Sequence, residues 1–393
     1  MFIVKSGNEI LHDPTRQIPD RLLISPVLQM SVGSQGSLSF GISPEHPMYG
    51  SLNNRTTFLT VLDDAGEVWR GRVISQEKGW ENIINIYAEG ELAYLQDTRM
   101  RPFVFVGTRS RLLQVLIDNH NAQLTASDIS IPTLNNPRKF TLDTANSDVD
   151  SDAITVTEST ASSTWDLIDE YIIKRGYYPI TYRSNGITYI KFVSDFPDGD
   201  QQIRFAENLL DLSYSRDSTE IYTKLLPLGA TLDSSDPEYE QKPTTTGTWH
   251  GNRRTIRQAT AGDGSDIIKN NAGRLIFGDI VGTKIYDDIT DANALYTAAS
   301  ADLTKMISES VNITARAVDI GTINGTAPLR VGNYYTTYSQ PHDLNIRLLC
   351  SSAEIHLTEP DQSEFEFGVG QKTLTDLNKK KRATDQKVTL ISA

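Results

Sequence analysis

Residues 203–230 carry the sequence pattern that most restricts how this chain can fold. Apolar and polar residues alternate over 210–215 and again over 221–225, with a short polar stretch between the two runs. A period of two is typical of half-buried strands. Pro227 cannot donate a ladder hydrogen bond and Gly229 tolerates a positive φ, so we expect the second strand to end there. The segment predicts a β-hairpin, and by itself it predicts no function.

The first hundred residues predict an all-β domain. Short apolar runs alternate with turn signals such as Ser-Gly-Asn and Asp-Asp-Ala-Gly, which are typical of tight connections between strands. Spacing this close favours a small β-barrel with one short helix. The predicted strands are 2–4, 10–11, 58–62, 68–74 and 83–87, and the helix is 91–96.

The period changes after this block. Thr108 and Thr164 are candidate N-caps of two amphipathic helices, and a Ser-Asn-Gly turn joins predicted strands at 177–182 and 188–193. Residues 233–264 are rich in Ser, Thr, Pro and Gly and predict a long loop. A further helix is predicted at 291–307 and a second strand-rich block at 311–367, with turns at Asn324-Gly325 and His342-Asp343.

These segments predict a β-rich α+β multidomain chain with two small β-barrel domains. The first barrel is expected at 1–100 and the second, discontinuous, at 206–235 plus 311–370. An α+β domain is expected at 101–205 plus 236–310, and a tail or linker at 371–393. A chain of 393 residues is long enough for several cores.

Composition and charge exclude several classes of protein. With 38% hydrophobic residues and no apolar run of about 18 residues, the chain is predicted to be globular and not inserted in a membrane. Its single cysteine, Cys350, is predicted to be buried and unreactive. The net charge of −13 repels phosphate backbones and argues against sequence-specific nucleic-acid binding. One basic run, 379–382, predicts a solvated helix face or an exposed tail, the alternative being a phosphate or anion site.

A search for chemistry finds no catalytic, cofactor-binding or metal-binding motif, so we predict none of these sites. The six histidines, at 12, 46, 120, 250, 342 and 356, are too scattered for a local zinc site. His46, within Pro-Glu-His-Pro, is predicted to stabilise a turn, the alternatives being a ligand or a pH switch.

Other polar clusters also favour structural roles. Asp148, Asp150 and Asp152 imitate the start of an EF-hand loop, but Ala153 stands where that loop needs glycine. Residues 195–200 and 263–266 predict turns. Of the four tryptophans, Trp69, Trp80 and Trp165 are predicted to lie in the core, whereas Trp249-His250 is a candidate exposed anchor.

Several segments, in this order, resemble one family. Near the start, GSLSFGISPEHPMYGSL is similar to its P-x-H-P-x-Y entry, VWRGRVIS to its F-R-G-R-V strand and AEGELAYLQD to its C-E-G-x-L-A-x-L-x-D stretch. Ala88 stands where many relatives have cysteine. With residues 203–230, they resemble the N-terminal module of siphophage tail-tip proteins, called prophage tail endopeptidase, tail-associated lysin or phage minor structural protein.

The resemblance implies a structural hub of a virion, made in the cytoplasm of the bacterial host and similar to the trimeric baseplate hub of contractile-tail phages. Such a homotrimer would lie at the tail tip below the ring of distal tail protein, meet the tape measure protein and receptor-binding or baseplate proteins, and gate DNA exit. If the protein lines that channel, an acidic lumen would keep DNA from adhering.

Besides the structural hub, which is the first class, two other classes of function remain. Many relatives carry a peptidase or lysozyme domain beyond the hub module, so this chain is either a short-form hub or the N-terminal part of a cell-wall-degrading enzyme. The third class is a tail protein that binds host-surface carbohydrate. Catalytic residues would support the second class and an aromatic-lined cleft the third.

Overall fold

A computed structural model describes residues 1–16, 21–124, 138–217, 221–237, 239–244, 247–306 and 310–368. The chain divides into two compact units. Unit 1 comprises residues 1–153, 157–213 and those from 313 onward, and unit 2 comprises 154–156 and 214–312. The finer division into two barrels, an α+β domain and a tail stays a prediction.

Strands dominate the described residues. The strands are β1 (Ile3–Ser6), β2 (Glu9–His12), β3 (Ile24–Ser31), β4 (Ser37–Ile42), β5 (Phe58–Asp63), β6 (Gly66–Lys78), β7 (Ile84–Gly90), β8 (Phe103–Thr108), β9 (Thr141–Leu142), β10 (Ala153–Glu158), β11 (Tyr178–Ser184), β12 (Ile187–Val193), β13 (Asp198–Arg204), β14 (Leu209–Asp217), β15 (Lys224–Leu228), β16 (Glu240–Thr244), β17 (Gly247–Gly251), β18 (Ile268–Lys269), β19 (Val281–Ile285), β20 (Ser310–Ala317), β21 (Tyr334–Ser339), β22 (Leu344–His356) and β23 (Glu364–Gly368). The α-helices are α1 (Arg109–Gln123), α2 (Thr164–Tyr171), α3 (Asn271–Phe277), α4 (Ala292–Met306) and α5 (Gly321–Asn324). The predicted β-rich α+β class is confirmed.

One sheet of 13 strands joins the two ends of the chain. Its order is β14-β20-β23-β22-β3-β4-β7-β6-β5-β1-β2, and β21 pairs with both β22 and β13. The seam between the N-terminal and C-terminal strands is the antiparallel pair β3 and β22, in which Ser31 lies opposite Ser352 and Leu28 opposite Ile355. Leu28 and Ile355 are buried, so one face of the seam packs on the core and the other stays polar.

The predicted hairpin at 203–230 is wrong, although both of its strands exist. β14 pairs with β20 in the large sheet, whereas β15 lies between β18 and β19 in a separate three-stranded sheet. Leu225 in β15 is fully buried in the apolar core of unit 2. Alternation of apolar and polar residues determines which face of a strand is buried, but it does not determine which strand pairs with it. The predicted end of the second strand is confirmed, because β15 stops at Leu228.

The predicted helix starts are close to the observed ones. The Thr108 hydroxyl accepts the Arg111 amide and caps α1, as predicted. Ser163, not Thr164, caps α2, because Ser163 and Asp166 form a reciprocal capping box. The predicted hairpin with the Ser-Asn-Gly turn is confirmed as β11 and β12. The predicted helix at 91–96 is a 3₁₀-helix over Glu91–Gln96.

Unit 2 contains a small sheet of its own. Helix α4 packs its Leu295, Ala299 and Leu303 against Leu225 of β15. β15 runs parallel to β19 and antiparallel to β18. The loop predicted at 233–264 is wrong in part, because β16 and β17 pair there as an antiparallel hairpin. Pairing of backbone groups across the strands overrides the low strand propensity of the Gly, Pro and polar residues.

Candidate functional site

A polar groove crosses the seam of the large sheet. It encloses about 540 Å³ between the outer faces of β3 and β4 and those of β22 and β23. Gln29, Ser31 and Ser37 line it from the N-terminal strands, with Tyr87 of β7 beside them, and Glu354 is among the residues that line it from the C-terminal strands. Each strand contributes the side chains of its solvent face, because inward and outward positions alternate.

The C-terminal wall of the groove is acidic. Glu354 and Glu364 stand directly opposite each other on β22 and β23, and Glu366 stands opposite Ser352. Like charges in opposed positions repel, so each carboxylate needs a partner. Glu354 accepts from Gln29 at 3.1 Å, and Glu366 accepts from the Ser352 hydroxyl at 2.7 Å. No lysine or arginine is among the described residues that line the groove.

Two basic residues contact the carboxylates of this wall. Arg316 of β20 bonds Glu364 at 2.9 Å and reaches Asp211 of β14 at 3.4 Å. His356 Nε2 lies 3.3 Å from Glu354 and adds positive charge only when it is protonated. The groove is thus a hydrated surface that offers hydrogen bonds and excess negative charge. In the described part of the chain no group of three or more His, Cys, Asp or Glu is placed to hold a metal ion.

The motif Arg70-Gly71-Arg72 lies in β6, and the motif Glu89-Gly90-Glu91 begins at the end of β7. Their charged side chains meet in the interior of unit 1. Arg72 of β6 is 2% exposed and bonds Glu89 at 2.7 Å and Asp97 at 2.9 Å. Arg70 bonds Glu91 at 3.2 Å. Each guanidinium therefore lies between carboxylates, the arrangement that a buried charge requires.

Glycine is needed where these motifs pass each other. Gly71 and Gly90 face each other across β6 and β7, with Trp69 packed over them. A Cβ at Gly90 would collide with the carbonyl oxygen of Gln35, and one at Gly71 would collide with that of Glu89. Packing and charge pairing therefore explain the Arg-Gly-Arg and Glu-Gly-Glu patterns.

The same cluster shifts two carboxylates in opposite directions. Burial alone would raise the pKa of Asp97, but hydrogen bonds and charge from Arg72 outweigh it and hold the pKa below its ordinary value. For Glu91 burial dominates over the attraction of Arg70 and raises the pKa. Glu91 is buried, whereas Asp97 stays partly exposed beside the cluster.

The structure places His46, for which a turn role was predicted, close to a second histidine, His12. His46 is confirmed as a turn residue, because its Nδ1 accepts the Met48 amide at 3.0 Å and its Nε2 donates to the Leu11 carbonyl at 2.8 Å. His12 is close enough to His46 for its pKa to be affected, a proximity that the sequence did not indicate. The His12 side chain is fully buried, its Nδ1 accepts the Leu23 amide, and burial lowers its pKa to about 4.

The aspartate clusters have mostly the predicted structural roles. Asp150 bonds Arg109 at 3.1 Å and the Tyr177 hydroxyl at 2.8 Å, so the EF-hand-like loop is tied to the protein by ion pairing. Asp263 accepts the Ser265 amide at 3.0 Å within its predicted turn and also binds Lys269 beyond it. The prediction of a turn through 195–200 is wrong in part, since Asp198 begins β13, where it pairs with Arg347 at 2.6 Å.

The structure also tests the predictions for Cys350 and for the tryptophans. Cys350 is confirmed as buried, and burial raises the pKa of its thiol. Trp69 is buried as predicted, but Trp80 is fully exposed and the prediction of a core role is wrong. Gly79 and Asn82, both turn formers, flank the Trp80-Glu81 pair and were the signal for a hairpin tip. The side chains of Trp249-His250, like the basic run 379–382, lie outside the described residues.

Within the described ranges no helix is both long and apolar enough to cross a membrane.

Comparisons with known proteins confirm the resemblance read from the sequence. Residues 197–378 match the model of a family described as prophage endopeptidase tail. The match covers the C-terminal strands of the large sheet and nearly all of unit 2. Among curated proteins none matches this chain in sequence.

Three solved structures have the same fold over nearly their whole length. A tail protein of Neisseria meningitidis MC58 aligns with a TM-score of 0.59 at 12% identity, over 94% of this chain and 96% of that one. The 43 kDa tail protein of Shewanella oneidensis prophage MuSo2 aligns with a TM-score of 0.58 at 12% identity, over 94% and 98%. Prophage tail protein gp18 of Listeria monocytogenes EGD-e aligns with a TM-score of 0.57 at 13% identity, over 100% and 99%. The chain shares the fold of these tail proteins, and its residues 197–378 match the family model in sequence.

Proposed function

We propose that this chain is a structural hub of a phage or prophage tail, which assembles as a homotrimer at the tail tip of a long, non-contractile tail. It would cap the tail tube below the ring of distal tail protein and line the route by which DNA leaves. Tail proteins of matching length and fold support the general role, and the family match supports the prophage setting.

The observation that carries the channel role is the polar, acidic face of the sheet seam. Glu354, Glu364 and Glu366 stand together there, and no described lysine or arginine lines the groove between the two halves of the sheet. Duplex DNA carries a dense negative charge, and proteins that bind it neutralise phosphates with lysine and arginine. A wall of this composition would let DNA pass without binding it.

A trimer of such chains would adapt the sixfold tube to a tip of lower symmetry. Each copy contributes strands from both of its ends to one sheet, so a closed ring could present repeated sheets around the axis. Opening of the channel would be a rigid-body or loop movement driven by the tape measure protein above and by receptor-binding or baseplate proteins outside.

The name of the matching family includes an endopeptidase, whereas the similar structures are described as tail proteins. We propose that the described part of this chain has no catalytic role. The groove offers carboxylates that are already engaged by Gln29, Ser352 and Arg316, an arrangement that suits a fixed surface.

The experiment is the solution mass of the purified chain by light scattering, alone and after mixing with the distal tail protein. We expect about three chain masses for the chain alone and a larger complex with the ring. The control is the distal tail protein alone. A monomer that does not bind the ring would overturn the hub and return attention to carbohydrate binding or to a truncated enzyme.

A further inference from the structure

A long hairpin displays Trp80 at its tip. β6 and β7 form the hairpin, and the whole Trp80 side chain is exposed. Large aromatic residues are enriched at the centres of protein interfaces, where their burial contributes much of the binding free energy. A tryptophan left entirely in water on an ordered element indicates a surface that is completed by another molecule.

The tip is held in place before any partner binds. Within the turn, Gly79 and Ile83 share a backbone hydrogen bond of 3.0 Å, and Asn82 donates to Gly79 at 3.1 Å. The Tyr49 hydroxyl donates to the Asn82 carbonyl at 2.6 Å and ties the turn to a neighbouring loop. A contact residue that is already positioned loses little conformational entropy on binding. The backbone that carries Trp80 is therefore in place before a partner binds.

A second apolar surface remains uncovered in unit 2. One face of its sheet packs on α4, and the opposite face, which we call the open face, consists of Leu226, Leu228, Val281, Thr283 and Ile285. These residues share one side because Leu226 pairs with Thr283 and Leu228 with Ile285 in parallel register. Val281 and Ile285 are each 52% exposed. Strand β19 is also the end of its sheet's strand order.

The two surfaces have complementary flanks. Exposed Glu77 and Glu81 lie on either side of the Trp80 tip, and the Lys78 ammonium between them lies over the Tyr49 ring, which leaves one net negative charge at the tip. Lys224 and Lys269 stand opposite each other at one end of the open face. Each lysine has one aspartate partner, Asp279 at 2.7 Å and Asp263 at 3.1 Å. Two adjacent cations would gain from a further carboxylate, and the glutamates beside Trp80 would supply it.

We propose that the Trp80 tip of one copy docks on the open face of the next copy. The partner is a second copy of this chain because both halves of the contact, an acidic aromatic projection and a lysine-flanked apolar face, occur in the same sequence. A head-to-tail contact of this kind closes into a ring when every copy donates one tip and receives one. The inference rests on the proposed trimer and names the residues that hold it together.

The test is a double-mutant cycle on self-association. The variants are Trp80→Ala at the tip and the pair Val281→Thr with Ile285→Thr on the open face. Threonine keeps a β-branched side chain in β19 and removes apolar surface without adding charge. Ile187→Ala is the control, because Ile187 is 45% exposed, close to Val281 and Ile285 in exposed fraction, and lies beside the turn of another hairpin in unit 1. Sedimentation equilibrium across a range of concentrations gives the association constants.

We expect Trp80→Ala to weaken association by about 30-fold or more, the effect of a typical hot-spot aromatic, with a smaller loss for the face variant and none for the control. If tip and face touch each other, combining the variants costs less than the product of the separate losses. Losses that simply multiply would show that tip and face contact different partners and would overturn the pairing.

Other results would distinguish a failure of the docking proposal from a failure of the proposed function. A trimer of unchanged affinity in Trp80→Ala overturns the inference and leaves the hub intact, and loss of binding to the distal tail protein ring alone would show that the tip contacts that protein instead. A wild-type chain that stays monomeric at every concentration would remove the trimer itself and count against the proposed function.

Discussion

The two units stabilise their interiors in opposite ways. Unit 1 buries charge, with Arg70 bonded to Glu91 and Arg72 bonded to Asp97. Unit 2 has an apolar core, built around Leu225 and Leu295, and leaves apolar side chains on its surface. Buried ion pairs that lose one partner cost a protein heavily, whereas apolar cores respond mainly to lost volume.

This difference distinguishes a surface that is complete in the single chain from a surface that another molecule would cover. Unit 1 pairs its buried charges within the chain, and its groove is a polar surface in contact with solvent. The open face of unit 2 is unfinished, because exposed apolar side chains of β19 gain free energy when another molecule covers them. The contrast predicts distinct responses to substitution in the two units.

The largest effect is expected when one guanidinium is removed from unit 1. Arg72→Met removes a buried guanidinium, leaves the partly buried carboxylates of Glu89 and Asp97 without their main partner, and should lower the free energy of unfolding by about 3 to 5 kcal/mol. Urea unfolding at neutral pH measures this change. Arg316→Met is the matched control, since Arg316 also bonds two carboxylates but is exposed, and it should leave stability nearly unchanged.

An equal loss for Arg72→Met and Arg316→Met would contradict the idea that burial of the charges in unit 1 matters.

The next effect tests the apolar core of unit 2. Leu295→Ala removes a fully buried side chain of α4 and should lower the stability of unit 2 by about 3 kcal/mol. Hydrogen exchange should show faster opening in β15 and α4 than in the wild type, with amides of β6 and β7 little changed. Thr297→Ala, at an exposed position on the same helix, is the control. Equal acceleration across both units would mean that they open as one cooperative body.

A third effect distinguishes unit 1 by its response to acid. Burial lowers the pKa of His12 to about 4, so the folded state binds a proton less readily than the unfolded state, whose histidine has its ordinary pKa of 6.5. This group's contribution to stability is therefore full above pH 6.5 and is lost as pH falls from there to about 4, with a total of about 3 kcal/mol. Asp13 opposes the shift and His46 adds to it.

Urea unfolding of the wild type and of His12→Gln at pH 7 and pH 4 measures the effect. The variant should lose about 3 kcal/mol less between the two pH values than the wild type. Parallel losses would show that His12 does not carry the acid sensitivity.

The smallest effect concerns the start of α2. Ser163→Ala removes the hydroxyl that accepts the Asp166 amide and should cost about 1 kcal/mol in thermal or urea unfolding. Ser163→Thr keeps a hydroxyl and should cost less. If Thr164→Ala has the same effect as Ser163→Ala, the contact of Thr164 with Thr98 matters as much as the cap.

Features set by neighbouring residues could be predicted from the sequence. The β5–β6 hairpin follows from its Asp-Asp-Ala-Gly turn, and Thr108 caps α1 three residues before the amide that it accepts. Pairings between distant segments could not be predicted in this way. Lys224 of β15 pairs with Val281, far along the chain, and alternation alone made β14 and β15 look like partners.

The candidate groove could not be predicted from local sequence patterns either. Gln29 bonds Glu354 across a separation of 325 residues, so no local pattern joins the two walls. Nor does a count of glutamates show that Glu354, Glu364 and Glu366 share one face, which depends on the register between β22 and β23. An element-like pattern around Trp80 predicts a core position, whereas β6 ends at Lys78 and Trp80 lies in the turn beyond it.

The most direct test of the hub is electron cryomicroscopy of intact tails that contain this protein. The account predicts three copies around the tail axis below the distal tail protein ring, with Glu354, Glu364 and Glu366 facing the channel. A different copy number, or a channel lined by lysine and arginine, would contradict it.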